Sequence, residues 1–147
     1  VTGVLLAVVV GAALLAWWAR RAADQSRVER DIVGPRWTLT EVIAGERRAI
    51  VHPSNGISLE LRTDGIATST DCSSDTGHWE ATAEGFRIVD ATNNLIACGY
   101  VKPPPPLPDY VHDAVNQVST RSVTARRADN RLILDTGDYV LSYREQP

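Results

Sequence analysis

Hydrophobic residues fill the first nineteen positions almost without a break, and after position 34 they return in short alternating runs. Val1 to Ala19 holds no charged residue, and Thr2 is its only hydroxyl-bearing side chain. At a helical rise of 1.5 Å per residue this run is roughly 28 Å long, close to the thickness of a bilayer's hydrocarbon core. Trp17 and Trp18 sit near its end and Arg20 and Arg21 follow, the order of an interfacial aromatic pair and its flanking cations. The pattern predicts a transmembrane anchor over residues 1–19. No basic residue precedes the run and no Ala-x-Ala site closes it, so it reads as an uncleaved anchor rather than a signal peptide.

Residues 20–33 are charged and alanine-containing, and read as a helical or flexible stalk that Gly34–Pro35 ends. Residues 34–147 then read as one domain of short strands. Trp37 to Ile43 alternates, with Trp37, Leu39, Glu41 and Ile43 expected on one face. Ile57, Leu59 and Leu61 point one way, Ser58 and Glu60 the other, and Asp64–Gly65 is a hairpin signal leading into Ile66 to Thr70. Gly77 to Thr82 and Phe86 to Val89 flank Glu84–Gly85. Ser122 to Arg127, Arg131 to Leu134 and Tyr139 to Tyr143 complete the strands, separated by Asp129–Asn130 and Thr136 to Asp138. One segment has a different period: Leu107, Val111, Ala114, Val115 and Val118 predict a helix. Pro103 to Pro106 precede it as a stiff polyproline II crossover. The fold expected is α+β and mainly antiparallel β, a curved sheet or partly open barrel-like roll. Its one helix covers a face or mouth and buries Val111, Val115 and Val118.

Composition narrows the functions. The net charge of −3 and the absence of a basic stripe argue against nucleic acid as a partner. The order of pieces resembles the META/HslJ-like family of small bacterial envelope-associated domains. The family's opening Gly-x-x-Trp strand is matched by Gly34 to Trp37, and its strand, Asp-Gly turn and strand by Ile57 to Thr70. Its Gly-Cys-Asn…Gly-x-aromatic motif is matched by Asp71-Cys72-Ser73…Gly77-His78-Trp79, and its Thr-x-Met-Ala-Cys motif by Asn94 to Cys98. Asp71, Ser73 and Asn94 replace the family's glycine, asparagine and threonine. The resemblance covers about Gly34 to Arg144. It implies an extracytoplasmic setting, a stress or envelope association, and no reaction.

Cys72 and Cys98 are the only two cysteines. A disulfide between them would close a loop of about 27 residues, a stabilisation of roughly 3.5 kcal/mol on a chain-entropy basis. Two buried free thiols are the other reading. The bridge needs an oxidising compartment and so favours a domain outside the cytoplasm. Arg20 and Arg21 argue for the opposite side, although Asp24, Glu29 and Asp31 dilute them. The domain is expected to be extracytoplasmic.

The polar residues Asp71, Ser73, Asp75 and His78 form a candidate binding loop. Cys72, His78 and Cys98 with Asp71 or Asp75 lack metal-ligand spacing, so no metal is expected. Ser73, Ser74, Asp75 and His78 lack the strained elbow a catalytic serine requires, and no glycine-rich phosphate loop occurs. No catalytic residue and no cofactor is assigned. The expected function is a non-enzymatic, membrane-tethered envelope domain with a structural or protein-interaction role. Its partners are the lipid bilayer, through residues 1–19, and an envelope protein. The alternative is a small-ligand or ion-binding module using residues 71–78.

Overall fold

The computed structural model describes residues 2–94 and 102–147, with side chains from residue 7 onward. A long helix, α1 (Thr2–Asp31), leads into β1 (Arg36–Ala44), β2 (Arg47–Ile50), β3 (Ser58–Leu61), β4 (Ile66–Asp71), β5 (Ser73–Ala81) and β6 (Gly85–Asn94). After the polyproline run come α2 (Asp109–Thr120), β7 (Val123–Ala128), β8 (Arg131–Asp135) and β9 (Val140–Glu145). Every strand pairing is antiparallel, and the sheet closes because β1 pairs with β9 along one edge. On its other edge β1 pairs first with β3 and then with β2. The result is a closed barrel, and the mainly antiparallel β architecture expected from the alternation is present.

The inward positions follow the alternation with one shift. Trp37 and Leu39 are buried as expected, but beyond them the buried residues are Val42 and Ala44, in place of Glu41 and Ile43. A β-bulge at Thr40 causes this: Leu39 pairs with Tyr143 and Glu41 with Ser142, leaving Thr40 extra. The Thr40 hydroxyl donates to the Ser142 carbonyl at 3.0 Å. Glu41 leaves the core and is half-buried beside Arg48, which it meets at 2.5 Å. The bulge therefore rescues an alternation that would otherwise have buried a glutamate.

Two further differences have local causes. β2 is short, with mostly exposed residues, so it leaves no hydrophobic period to read. β5 begins at Ser73 instead of Gly77, and β6 continues to Asn94 instead of ending at Val89. Apart from Ala91, the residues added at these ends are Ser, Asp, Thr and Asn, which in a sequence resemble turn chemistry. Asp90, at φ +53, bulges β6 so that Thr92 and Val89 face Thr76 and His78. Gly77 sits beneath this bulge, where a Cβ would come within 2.5 Å of the Val89 carbonyl.

α1 is a single element spanning both the expected anchor and the expected stalk. Its last turns belong to the barrel: Val28 (1% exposed) and Ile32 (3%) are core residues. Arg27 donates to the Thr82 carbonyl at 2.9 Å, and Arg127 to the Asp31 carbonyl at 3.2 Å. The indole N–H of buried Trp37 donates to the Ile32 carbonyl at 2.9 Å. Gly34, at φ +111, turns the chain out of the helix. Further up the same helix, Val8, Val9, Val10, Leu14, Leu15, Trp17 and Trp18 are exposed. Three consecutive exposed valines mean that this part is apolar all round. Among the described residues no helix is long and apolar enough to cross a membrane.

α2 carries the expected stripe, with Val111, Ala114, Val115 and Val118 buried. It fills a gap that the sheet leaves. β6 meets β7 only at Gly85–Thr124 and Phe86–Val123, and the rest of β6 diverges, leaving room for α2 to pack. A polar latch fixes its far end. Gln117 donates to Asp138 at 3.0 Å and accepts from Thr136 at 2.8 Å, while Tyr139 donates to Asp113 at 2.6 Å.

Candidate functional site at the mouth of the barrel

Inside the barrel, the face shared by β3, β4 and β5 changes character along its length. Leu61, Ala67 and Gly77 form an apolar row. One step further, Leu59, Ser69, Asp75 and Asn93 pair across four strands. At the rim, Asp71 pairs with Ser73, and Cys72 between them reverses the chain at φ +62. Alternation forces this grouping, because side chains two apart on a strand share a face and cross-strand partners stand side by side. Ser73 and Asp75 therefore project with Gly77 and Trp79, toward the interior.

α2 supplies the opposite wall. His112, Val115 and Asn116 lie at i, i+3 and i+4 and so share one helical face. With Ser69, Asp71, Ser73, Asp75 and Asn93 they line a pocket of about 150 Å³. The His112 Nδ1 lies 2.6 Å from one Asp71 carboxylate oxygen. Asn93 Nδ2 donates to Asp75 at 2.6 Å and to the Ser73 hydroxyl at 3.3 Å. Ser69 is 3% exposed and its hydroxyl has no partner among the described residues. Behind this layer the hydroxyl of Tyr143 is also buried, without a partner among the described residues. Burial pushes its acidity well below that of an ordinary phenol, and the negative charge of Asp71 adds to the effect. Asp71 and His112 also border a second pocket of about 250 Å³ against Asn55, Ile57, Cys72 and the polyproline run. Asn55 braces that run by donating to the Pro105 carbonyl at 3.0 Å.

Of the four residues expected to bind, three come together: Asp71, Ser73 and Asp75. They occupy two strand ends rather than a loop. His78 does not join them, because it points outward from the next pleat, between Ile66 and Val89. The histidine at the site is His112 on α2, which shares a helix face with Val115 and Asn116 and reaches Asp71 through the fold. Cys72 is not a free thiol. Cys98 lies outside the described residues, so the expected Cys72–Cys98 pairing extends beyond them. Among the described residues no group of three or more His, Cys, Asp or Glu is arranged to hold a metal ion.

Chemically, the site is an acceptor-rich pocket. Each carboxylate has about four lone-pair positions, and the described contacts use few of them. Among the described residues that line it, none is lysine or arginine.

No family model matches the sequence, and no curated protein matches it. Three solved structures share the fold. A protein from Burkholderia xenovorans, solved by NMR, is 17% identical over 86% of this chain and 88% of its own, with a TM-score of 0.57. Another NMR structure is 13% identical over 77% of this chain and 90% of its own, with a TM-score of 0.56. A DUF4847 family protein from Bacteroides vulgatus, whose crystal structure was determined at 1.00 Å, is 12% identical over 82% of this chain and 99% of its own, with a TM-score of 0.52. At these identities the likeness concerns the fold alone.

Proposed function

We propose that this chain is a non-enzymatic, membrane-tethered domain of the cell envelope with a structural or protein-interaction role. The observation that carries the proposal is the two-faced nature of α1. From Ala7 to Ala19 the helix has no charge, and large apolar side chains stand exposed around it. Val28 near the end of the same helix, and Ile32 just after it, are built into the barrel core. A helix apolar all round needs an apolar environment on every side, and residues 1–19 together have about the length of a single span. The Trp17–Trp18 pair, with the Arg21 guanidinium 5.4 Å from the Trp17 ring centre, suits the water–lipid boundary. Engagement of the Cys72 sulfur and the META/HslJ-like resemblance favour an extracytoplasmic domain with a Cys72–Cys98 bridge. Alternation directs His78 away from Ser73 and Asp75, so the serine, aspartate and histidine that stand close in sequence do not meet.

A second reading, a small-ligand module, is favoured by a separate observation. Asp71, Ser73 and Asp75 converge with His112 on the buried, unpartnered Ser69 hydroxyl.

Cell fractionation tests the first reading. The full chain is expected in the membrane pellet after alkaline carbonate extraction, and residues 20–147 expressed alone are expected in the supernatant. In intact cells, a membrane-impermeant maleimide is expected to label the chain only after reductant is added. Release of the full chain by carbonate overturns the tether. Labelling only in broken cells, without reductant, overturns the extracytoplasmic placement.

A further inference from the structure

We infer that the pocket at the barrel mouth binds a small organic ammonium ion, held between Asp71, Asp75 and the Ser69 hydroxyl. The inference rests on the second reading above and names its ligand class. Three features carry it. First, the Ser69 hydroxyl is 3% exposed, lines the pocket, and has no partner among the described residues. A buried hydroxyl without a hydrogen bond is costly, so this oxygen is available to a water or a guest in the pocket. Second, two carboxylates line the same space without a lysine or arginine among the described lining residues. Asp71 is met by His112 at one oxygen, and Asp75 by the neutral amide of Asn93. Lone pairs on both remain for a donor, and like charges in one pocket favour a cation.

Third, the guest's size and type are constrained. About 150 Å³ has room for roughly five waters at ~30 Å³ each, which is enough for a small amine. Among the described residues, no ligand set fits a metal. An ammonium group offers three N–H donors, one each for Asp71, Asp75 and the Ser69 oxygen. Val115 provides an apolar wall for its carbon chain.

The pocket's place in the molecule indicates where the guest comes from. Ser73 and Ala81 are opposite ends of β5, eight residues and roughly 26 Å apart at ~3.3 Å per residue. The Ala81 end adjoins α1 through Trp17, Arg20 and Asp24. The mouth is therefore remote from the anchor, and its ligand is a soluble amine rather than a headgroup of the supporting bilayer.

The test uses the full, 15N-labelled chain in neutral detergent micelles, titrated with ethanolamine, ethylene glycol or acetate. Ethanolamine and ethylene glycol have the same number of heavy atoms and differ in charge. Ethanolamine is expected to give saturable shifts at the Ser69 and Asp75 amides and at the Asn93 and Asn116 side-chain amides. Ethylene glycol and acetate are expected to give none. Asp75→Asn keeps an acceptor for Asn93 and is expected to weaken ethanolamine at least tenfold. Ser69→Ala is expected to weaken it several-fold. The Trp37 and Trp79 indole N–H signals report that each variant is folded. Equal shifts with ethylene glycol overturn the ammonium assignment while leaving a polar-ligand site. Silence with all three probes overturns both, and unchanged affinity in folded Asp75→Asn overturns the role of the carboxylates.

Discussion

Tyr143 shows how one buried group couples the barrel interior to solution conditions. Its ring is fully buried on β9 opposite Leu39 and Leu132, and its hydroxyl has no partner among the described residues. Burial and then the Asp71 charge keep its proton bound in the folded state well beyond an ordinary phenol. In the unfolded chain it titrates near pH 10. The folded state thus holds more protons above that pH, and stability, fully present below about pH 10, is lost as pH rises. One such group contributes a slope of about 1.4 kcal/mol per pH unit. Tyr143→Phe is expected to remove this part of the alkaline decline. It is also expected to raise stability at neutral pH by about 1 kcal/mol, since an unpaired buried hydroxyl disappears; urea unfolding at pH 7 and above pH 10 checks both. Legibility at this scale is uneven. Burial of Leu59, Leu61, Val111 and Val115 follows directly from their spacing. The site is half legible: Asp71, Ser73 and Asp75 stand close in sequence. His112 reaches Asp71 only through a fold that brings together residues 41 positions apart, and no local pattern records that.

Among elements, α1 is where the sequence and the fold divide the chain differently. Gly34–Pro35 lies three residues past Asp31, where the helix ends, and Gly34 takes a positive φ there. The same signal does not mark the edge of the core, since Val28 and Ile32 lie before it and are buried. A charged helical stretch with only two or three apolar positions has too weak a period to reveal which face docks. β1 shows a related limit: the Thr40 bulge inverts the alternation midway, and bulges depend on the partner strand, here β9. Ile32→Ala is expected to cost about 2–5 kcal/mol, as for a large-to-small change in a packed core. Leu15→Ala, on the exposed apolar part of the same helix, is expected to leave the barrel's stability unchanged. Thermal unfolding in micelles distinguishes the two. Equal effects would mean that the helix end is not part of the domain.

For the whole molecule, the arrangement is polar in the directional sense. An apolar helix leaves the barrel beside the β5–β6 turn, and an acceptor-rich mouth opens at the other end of the same strands. Such a molecule fixed in a bilayer presents its pocket away from the lipid. The antiparallel β class was legible from the hairpin signals. Closure was not, because pairing of β1 with β9 is the longest-range contact in the sheet and no local residue preference encodes it. The placement of α2 across the mouth was legible as a stripe. The gap it fills was not, because that gap arises where β6 parts from β7.

The tether itself is tested most directly by tryptophan quenching in vesicles whose acyl chains carry bromine. Trp17 and Trp18 are exposed on α1, whereas Trp37 and Trp79 are buried in the barrel. The full chain is expected to lose the part of its fluorescence due to Trp17 and Trp18, and a Trp17→Phe/Trp18→Phe variant is expected to lose none. Full fluorescence from the unaltered chain in brominated vesicles would contradict insertion of α1 into lipid.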